Sequence, residues 1–238
     1  MNVTGIIVAG GRSSRMGQDK ALLEIQGATM LERVADALAP VTERVIVVTR
    51  DGQGYGSISV ENVPDVYPGK GPLSGIHAGL SASRTEWGIV IACDMPFVQP
   101  KVLHVLLAVT EKWAKLQGTT ETALQAVISS VDGRIHPLLA VYHQSVLPSA
   151  EECLRSGRLR LTDWLDKLNV RYAKVEDLPG VSEDIWHKAA FNMNNPQDYQ
   201  LAIEQLKHSV QQNTQAMQTM QTVRDAQSVK NLKEIRED

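Results

Sequence analysis

A short apolar run, Gly5-Ile6-Ile7-Val8-Ala9, stops abruptly at Gly10-Gly11 and is followed by Arg12, Arg15, Gly17, Asp19 and Lys20. Glycines let a backbone approach a ligand closely and turn its N–H groups toward it. Arginine and lysine supply positive charge for phosphate oxygens. The segment has the composition of a nucleotide cradle. Two common phosphate-binding patterns do not fit it. A P-loop needs Gly-Lys followed by Ser or Thr, whereas Lys20 precedes Ala21 and the pair Gly69-Lys70 precedes Gly71. The dinucleotide pattern G-x-G-x-x-G is not met by Gly10, Gly11 and Gly17. Gly52, Gly54 and Gly56 come closer, but residues 57–64 do not read as the helix such a loop must open, so they read as a surface loop.

A second candidate lies further on. Trp87-Gly88-Ile89-Val90-Ile91-Ala92-Cys93 reads as a buried strand that ends at Asp94-Met95-Pro96. Mg²⁺ is usually held by one or two carboxylates together with substrate phosphates. Asp94 is therefore a candidate metal ligand, set against the plainer reading of a turn aspartate. The glycine loop in the same chain favours the metal. Between the two lies Val63-Pro64-Asp65-Val66-Tyr67-Pro68-Gly69-Lys70-Gly71-Pro72-Leu73-Ser74-Gly75, a long loop of the kind that often carries function. Asp65 closes a predicted strand there and can face the same crevice.

These residues must be positioned by the rest of the chain. Strands are expected over 4–9, 43–49, 58–63, 87–93, 123–131, 135–142 and 169–175. Helices are expected over 29–39, 75–84, 100–116, 145–156, 161–168 and 196–210. The alternation predicts an α/β fold: a three-layer, Rossmann-like, mostly parallel sheet with helices on both faces. Ser130-Val131-Asp132-Gly133-Arg134 reads as a hairpin turn, so one pair of strands should be antiparallel. In such a sheet ligands bind outside the carboxyl ends of the strands. The opening glycine loop and Asp94 both fall at such ends. The expected division is a catalytic domain over 1–205 and a polar, helical or disordered tail over 206–238.

Composition excludes several classes. The net charge of −3 gives no electrostatic reason to expect nucleic-acid binding. No run of ~18 apolar residues is present, so no membrane span is expected. No signal-type segment precedes the first strand. Cys93 and Cys153 form no metal-ligand pattern, and a reducing cytoplasm is the simplest setting.

Taken in order, the motifs resemble those of the nucleotide-diphospho-sugar-type nucleotidyltransferases, and more closely the molybdenum cofactor guanylyltransferases. They are Val8-Ala9-Gly10-Gly11, Arg15-Met16-Gly17, Asp19-Lys20, Asp65 with Pro68–Gly75, Asp94-Met95-Pro96, His136-Pro137-Leu138 and Asn192-Met193-Asn194-Asn195-Pro196. The resemblance covers residues 5 to about 205. It implies transfer of GMP from GTP to molybdenum-loaded molybdopterin with release of pyrophosphate, and a requirement for Mg²⁺. It implies Arg15, Lys20 and Asp94 as catalytic residues, with Asp94 also the metal ligand. It places Val8, Ala9, Gly10, Gly11, Lys20, Asp65 and Asp94 at the nucleotide, and His136, Asn192 and Asn194 at the acceptor. Partners among the proteins that make or insert the cofactor are implied as well.

The residues temper this in places. A histidine on a strand often serves packing, and the asparagines can cap the helix ahead of Pro196. Arg155, Arg158 and Arg160 form a basic cluster that could meet an anionic pterin phosphate but reads more readily as a solvated helix end. Val8 stands where leucine is usual, and Asn195 where threonine is common. Related cytidylyltransferases carry alanine at the position of Gly10, and the missing methyl leaves room for a larger base. Guanine is expected on that ground. The alternative is a cytidylyl- or sugar-1-phosphate nucleotidyltransferase on the same fold.

Overall fold

The computed structural model describes residues 1–9, 19–52, 54–55, 60–117 and 123–207. The first apolar run forms β1 (Val3–Val8), with all six residues buried. After a short 3-10 turn at Lys20–Leu22 comes a small hairpin of β2 (Glu24–Ile25) and β3 (Ala28–Thr29). Thr29 then caps α1 (Met30–Leu38): its side chain accepts from Glu32 N–H, and the Glu32 carboxylate accepts from Thr29 N–H at 2.7 Å. This reciprocal box satisfies two donors that a helix start leaves open. There follow β4 (Arg44–Thr49), β5 (Glu61–Pro64), α2 (Pro72–Ala82), β6 (Trp87–Ala92) and α3 (Pro100–Gln117). The remaining elements are β7 (Ala126–Val131), β8 (Arg134–His143), α4 (Leu147–Arg155), α5 (Leu161–Leu165), β9 (Val170–Ala173) and α6 (Glu183–Ala189).

Seven strands form one sheet in the order β5-β4-β1-β6-β8-β7-β9. Neighbours from β5 to β6 run parallel, as do β7 and β9, while β8 runs antiparallel to both β6 and β7. The expected hairpin is the β7–β8 connection. Its two turn residues, Asp132 (φ 51°) and Gly133 (φ 72°), have the positive φ values of a tight two-residue hairpin.

Alternate residues of the strands bury on opposite faces. Ile7, Val47, Ile89, Ile91 and Val141 join Leu31, Leu38, Leu103 and Trp186 from α1, α3 and α6. Ile6, Val8, Ile46, Val90 and Tyr142 join Leu73, Ile76, Leu154 and Trp164 from α2, α4 and α5. The sheet is thus the middle of three layers, as expected. Helix α2 lies unusually close to β1. A Cβ at Gly75 would stand 2.6 Å from Val8 Cγ1, and one at Gly79 2.3 Å from Ile6 Cγ2. Only glycine at these two positions lets the helix sit down on the central strand.

The β2–β3 hairpin and α6 were not expected. The strands of the first have two residues each and the helix only seven, too short for a period to show. Helix α2 begins at Pro72, three residues before the expected start, with Gly71 (φ 77°) ahead of it. The chain divides into two compact units, Met1–Asn195 and Pro196–Asp238. Of the second, the described part is a helix over 196–207; the tail residues 208–238 lie outside the described residues. Among the described residues no helix is long and apolar enough to cross a membrane.

Candidate active site

Because β5, β4, β1 and β6 are parallel, their carboxyl ends share one edge of the sheet. Val8 lies between Val48 and Ala92 there. Ala9 N–H donates to Val48 C=O at 3.1 Å, and Cys93 N–H donates to Val8 C=O at 3.2 Å. The neighbouring strands therefore fix the point at which the glycine loop leaves the sheet. Gly10, Gly11 and Arg15 lie outside the described residues.

Lys20 and Asp94, far apart in sequence, meet at this edge. Lys20 Nζ donates to Asp94 Oδ2 at 2.9 Å, with both side chains partly buried at 19% and 17% exposure. The same ammonium donates to Met193 C=O at 2.5 Å, and Met193 N–H donates to Asp94 C=O at 2.9 Å. The backbone of one residue thus bridges both charged residues. The Met193 side chain is fully buried and anchors it. Asp19 sets the approach of Lys20. It caps the 3-10 turn by accepting from Ala21 N–H at 3.0 Å, and its other oxygen accepts from Tyr55 O–H at 3.0 Å. Burial, then the charge of Asp19, raises the Tyr55 phenol well above its ordinary value, which keeps it a donor. Burial likewise pushes the Cys93 thiol up, so it stays neutral beside Asp94 and is no nucleophile.

Asp65 closes β5 as expected, with its N–H donating to Thr49 C=O at 2.8 Å. Its carboxylate accepts from Ser74 O–H at 2.8 Å and from Tyr67 N–H at 2.9 Å. It therefore ties the loop to the first turn of α2. Lys70, in the same loop, turns away from the edge. It donates to Leu154 C=O at 2.6 Å at the end of α4 and lies 5.5 Å from the Tyr67 ring centre.

A pocket of about 400 Å³ opens beside Asp94. It exists because β8 bulges. Ile128 lies opposite Ala140 but Ser129 lies opposite His136, so residues 137–139 are pushed out of register with β7. Tyr142 O–H donates to Pro137 C=O at 2.8 Å and holds the bulge. The pocket is lined by His136, Leu138, Leu161, Phe191, Asn192 and Asn194, among others. The structure thus brings together the three residues expected at the acceptor, which are separated by more than fifty positions in sequence. Burial, reinforced by the charge of Arg134, lowers the His136 pKa, so its imidazole is neutral near pH 7. Asn192 Oδ1 is buried without a hydrogen-bond partner among the described residues. Such an orphaned acceptor is costly and suits a ligand N–H.

Met193, Asp19 and Tyr55 were not expected as site residues. Asp19 carried a signal as half of an Asp-Lys pair, and Met193 stood between the two asparagines. Tyr55, between glycines in a loop, gave none. Arg155 and Arg158 pair with Glu151 and Glu152, in keeping with a solvated helix end.

Among the described residues no group of three or more His, Cys, Asp and Glu side chains could hold a metal alone. Asp94 offers a single hard carboxylate at the edge, with Oδ1 unbonded among the described residues. That donor set fits a Mg²⁺ ion that brings most of its ligands with a polyphosphate.

A parallel strand edge with a lysine–aspartate pair, and a pocket beside it, are the features of a nucleotidyltransferase. Residues 5–171 match the MobA-like NTP transferase domain, and the chain belongs to that family. It is 35% identical over 198 residues to a probable molybdenum cofactor guanylyltransferase of Pelotomaculum thermopropionicum, covering 83% of this chain and 90% of that one. A probable molybdenum cofactor guanylyltransferase of Peptoclostridium acidaminophilum is also 35% identical, over 82% of this chain and 86% of its own. Among solved structures, molybdopterin-guanine dinucleotide biosynthesis protein A from Archaeoglobus fulgidus superposes with a TM-score of 0.72 at 29% identity, covering 86% of this chain and 99% of that one. The 2-C-methyl-D-erythritol 4-phosphate cytidylyltransferase of Thermus thermophilus shares the fold, with a TM-score of 0.60 at 18% identity over 87% of this chain and 100% of its own.

Proposed function

We propose that the chain transfers GMP from GTP to molybdenum-loaded molybdopterin, forming the guanine dinucleotide cofactor and pyrophosphate. The observation that carries this reading is the Lys20–Asp94 pair, next in sequence to Met95 of a pocket lined by His136, Asn192 and Asn194. The relatives named for this guanylyltransferase support it.

An oxygen of the acceptor's phosphate attacks the α-phosphorus of GTP, and the bond to pyrophosphate breaks. No protein nucleophile is needed, and an ionised phosphate monoester needs no strong base. Negative charge builds on the equatorial and leaving oxygens. Lys20, Arg15 and the amides of Gly10 and Gly11 stabilise it, while Val8 and Ala9 fix where that loop begins and Asp65 holds the facing loop. Mg²⁺ held by Asp94 would neutralise triphosphate charge and polarise the α-phosphoryl group. Asn192, Asn194 and His136 orient the acceptor. The proteins that supply molybdopterin or receive the finished cofactor are the expected partners, and the expected setting is the cytoplasm.

The test is incubation with Mg²⁺, molybdenum-loaded molybdopterin and GTP, CTP or UTP in turn. GTP should release pyrophosphate and give a guanine dinucleotide product. Product from CTP instead would establish the cytidylyl alternative. Absence of transfer from every nucleotide would end the enzymatic reading of this acceptor.

A further inference from the structure

We propose that Arg134 holds the pterin ring of the acceptor at the end away from its reacting phosphate, donating to the ring carbonyl oxygen. This rests on the guanylyltransferase reading of the site.

The two ends of the pocket are identifiable. At the inner end Met95 follows Asp94 directly, and Asn192 and Asn194 flank Met193, which bonds to both Lys20 and Asp94. A phosphate that attacks a nucleotide held by Lys20 and Asp94 must sit at this end. From there β8 leads outward. Leu139 lies opposite Ile91, next to the end of β6, and residues 134 to 138 all line the pocket. Beyond the bulge β8 is regular again, with His136 opposite Ser129 and Arg134 opposite Val131, so at a strand rise of ~3.3 Å per residue Arg134 stands roughly 7 Å beyond His136, the scale of a fused ring.

The guanidinium at that outer end is uncommitted. Arg44, Arg155 and Arg158 each pair with a glutamate, whereas Arg134 has no hydrogen-bond or ion-pair partner among the described residues. It is also the one side chain of fixed charge among those lining the pocket. Between the two ends, Leu138, Leu161 and Phe191 offer apolar surfaces to a flat ring. At the outer end the Arg134 guanidinium is a donor open to a ring oxygen. An arginine fork suits such an oxygen, as it suits the oxo edge of guanine. Among the described residues no carboxylate lines the pocket to compete for it.

The experiment is steady-state kinetics of Arg134→Ala and Arg134→Lys with molybdenum-loaded molybdopterin, alongside GTP–Mg²⁺ binding by calorimetry. Arg134→Ala should raise the acceptor KM about tenfold or more, the loss of a charged hydrogen bond, with kcat and GTP affinity within about twofold of the parent. Arg134→Lys should recover only part of the loss, because a lysine lacks the fork. Arg158→Ala, whose parent guanidinium is already paired to Glu152, should leave the KM unchanged. Thermal melting checks that the exposed hairpin still folds. An unchanged acceptor KM in a folded Arg134→Ala overturns the inference. So does an equal loss of GTP affinity, which would place Arg134 at the donor. If the parent chain forms no guanine dinucleotide at all, it is the functional reading that fails.

Discussion

In the β5-β4-β1-β6 half of the sheet every neighbour runs parallel, whereas in the other half β8 runs against both β6 and β7. The two halves build their parts of the site differently as a result. Parallel strands deliver all their carboxyl ends to one edge, so charged residues leaving separate strands converge there. Asp94 and Asp65 arrive in this way, and Lys20 follows β1. The antiparallel strand contributes its flank instead of its end. Strand β8 is ten residues long and runs out past β6, and its bulge turns residues 134 to 138 into a pocket wall. On the proposed reading, the first half serves the donor through charge and the second serves the acceptor through shape and amide contacts. The Met193 backbone, bonded to Lys20 and Asp94 and flanked by the two asparagines, is the seam between them.

The division is most directly broken at Asp94. Asp94→Asn keeps the shape of the side chain but removes its charge, and turnover should fall by about a hundredfold or more. The acceptor KM should change little. Pyrophosphate release at saturating acceptor measures the first, and its dependence on acceptor concentration the second. Near-normal turnover would remove Asp94 from the reacting centre. Asn192→Ala should behave in the opposite sense. Its loss removes the buried acceptor at Oδ1. The acceptor KM should rise about tenfold while the GTP dissociation constant stays put. A shift in GTP affinity in Asn192→Ala would show that the seam at Met193 transmits between the halves, and the two regions would then have to be treated as one.

The donor half was also the more legible in the sequence. Its strands are continuous β-branched runs cut off by glycine, proline or aspartate, and such punctuation marks both the strand and its functional end. Asp94 could be singled out from the strand it closes taken together with the glycine loop in the same chain. The hairpin turn at Asp132–Gly133 was equally plain. What could not be read was that β8 would insert beside β6, or that a bulge at Ser129 would open a pocket. The first depends on pairing across more than forty residues and the second on a register shift inside the β7–β8 hairpin, and no local pattern records either. His136, Asn192 and Asn194 were therefore singled out by resemblance and gathered into one place only by the fold. Tyr55 and Met193 act through a phenol–carboxylate bond and a backbone peptide, and neither leaves a mark in residue type.

The smallest expected effect separates the halves by acid. His77 on α2, and His136 and His143 on β8, each have a pKa below the ordinary 6.5, with burial the leading cause in all three. For His77 the nearby Glu151 and Asp65, and for His143 Glu86, oppose the shift; for His136, Arg134 adds to it. A lowered histidine pKa means that the unfolded chain takes up the proton first as pH falls. Stability is then complete above about pH 6.5 and declines below it, because the unfolded state binds more protons in that window. The carboxyls of Glu32, Glu111 and Glu151 are held below the ordinary 4.5, so their contributions fade only in stronger acid. The melting temperature should accordingly be level at and above about pH 7 and fall as the pH drops through 6. Because His136 has no carboxylate to offset its burial, His136→Gln should flatten that fall more than His77→Gln does. A melting temperature indifferent to pH over this range, or an equal effect of the two variants, would remove the asymmetry between the halves at this level. A steeper response from His136 would place the more acid-sensitive packing on β8, where the acceptor pocket is built.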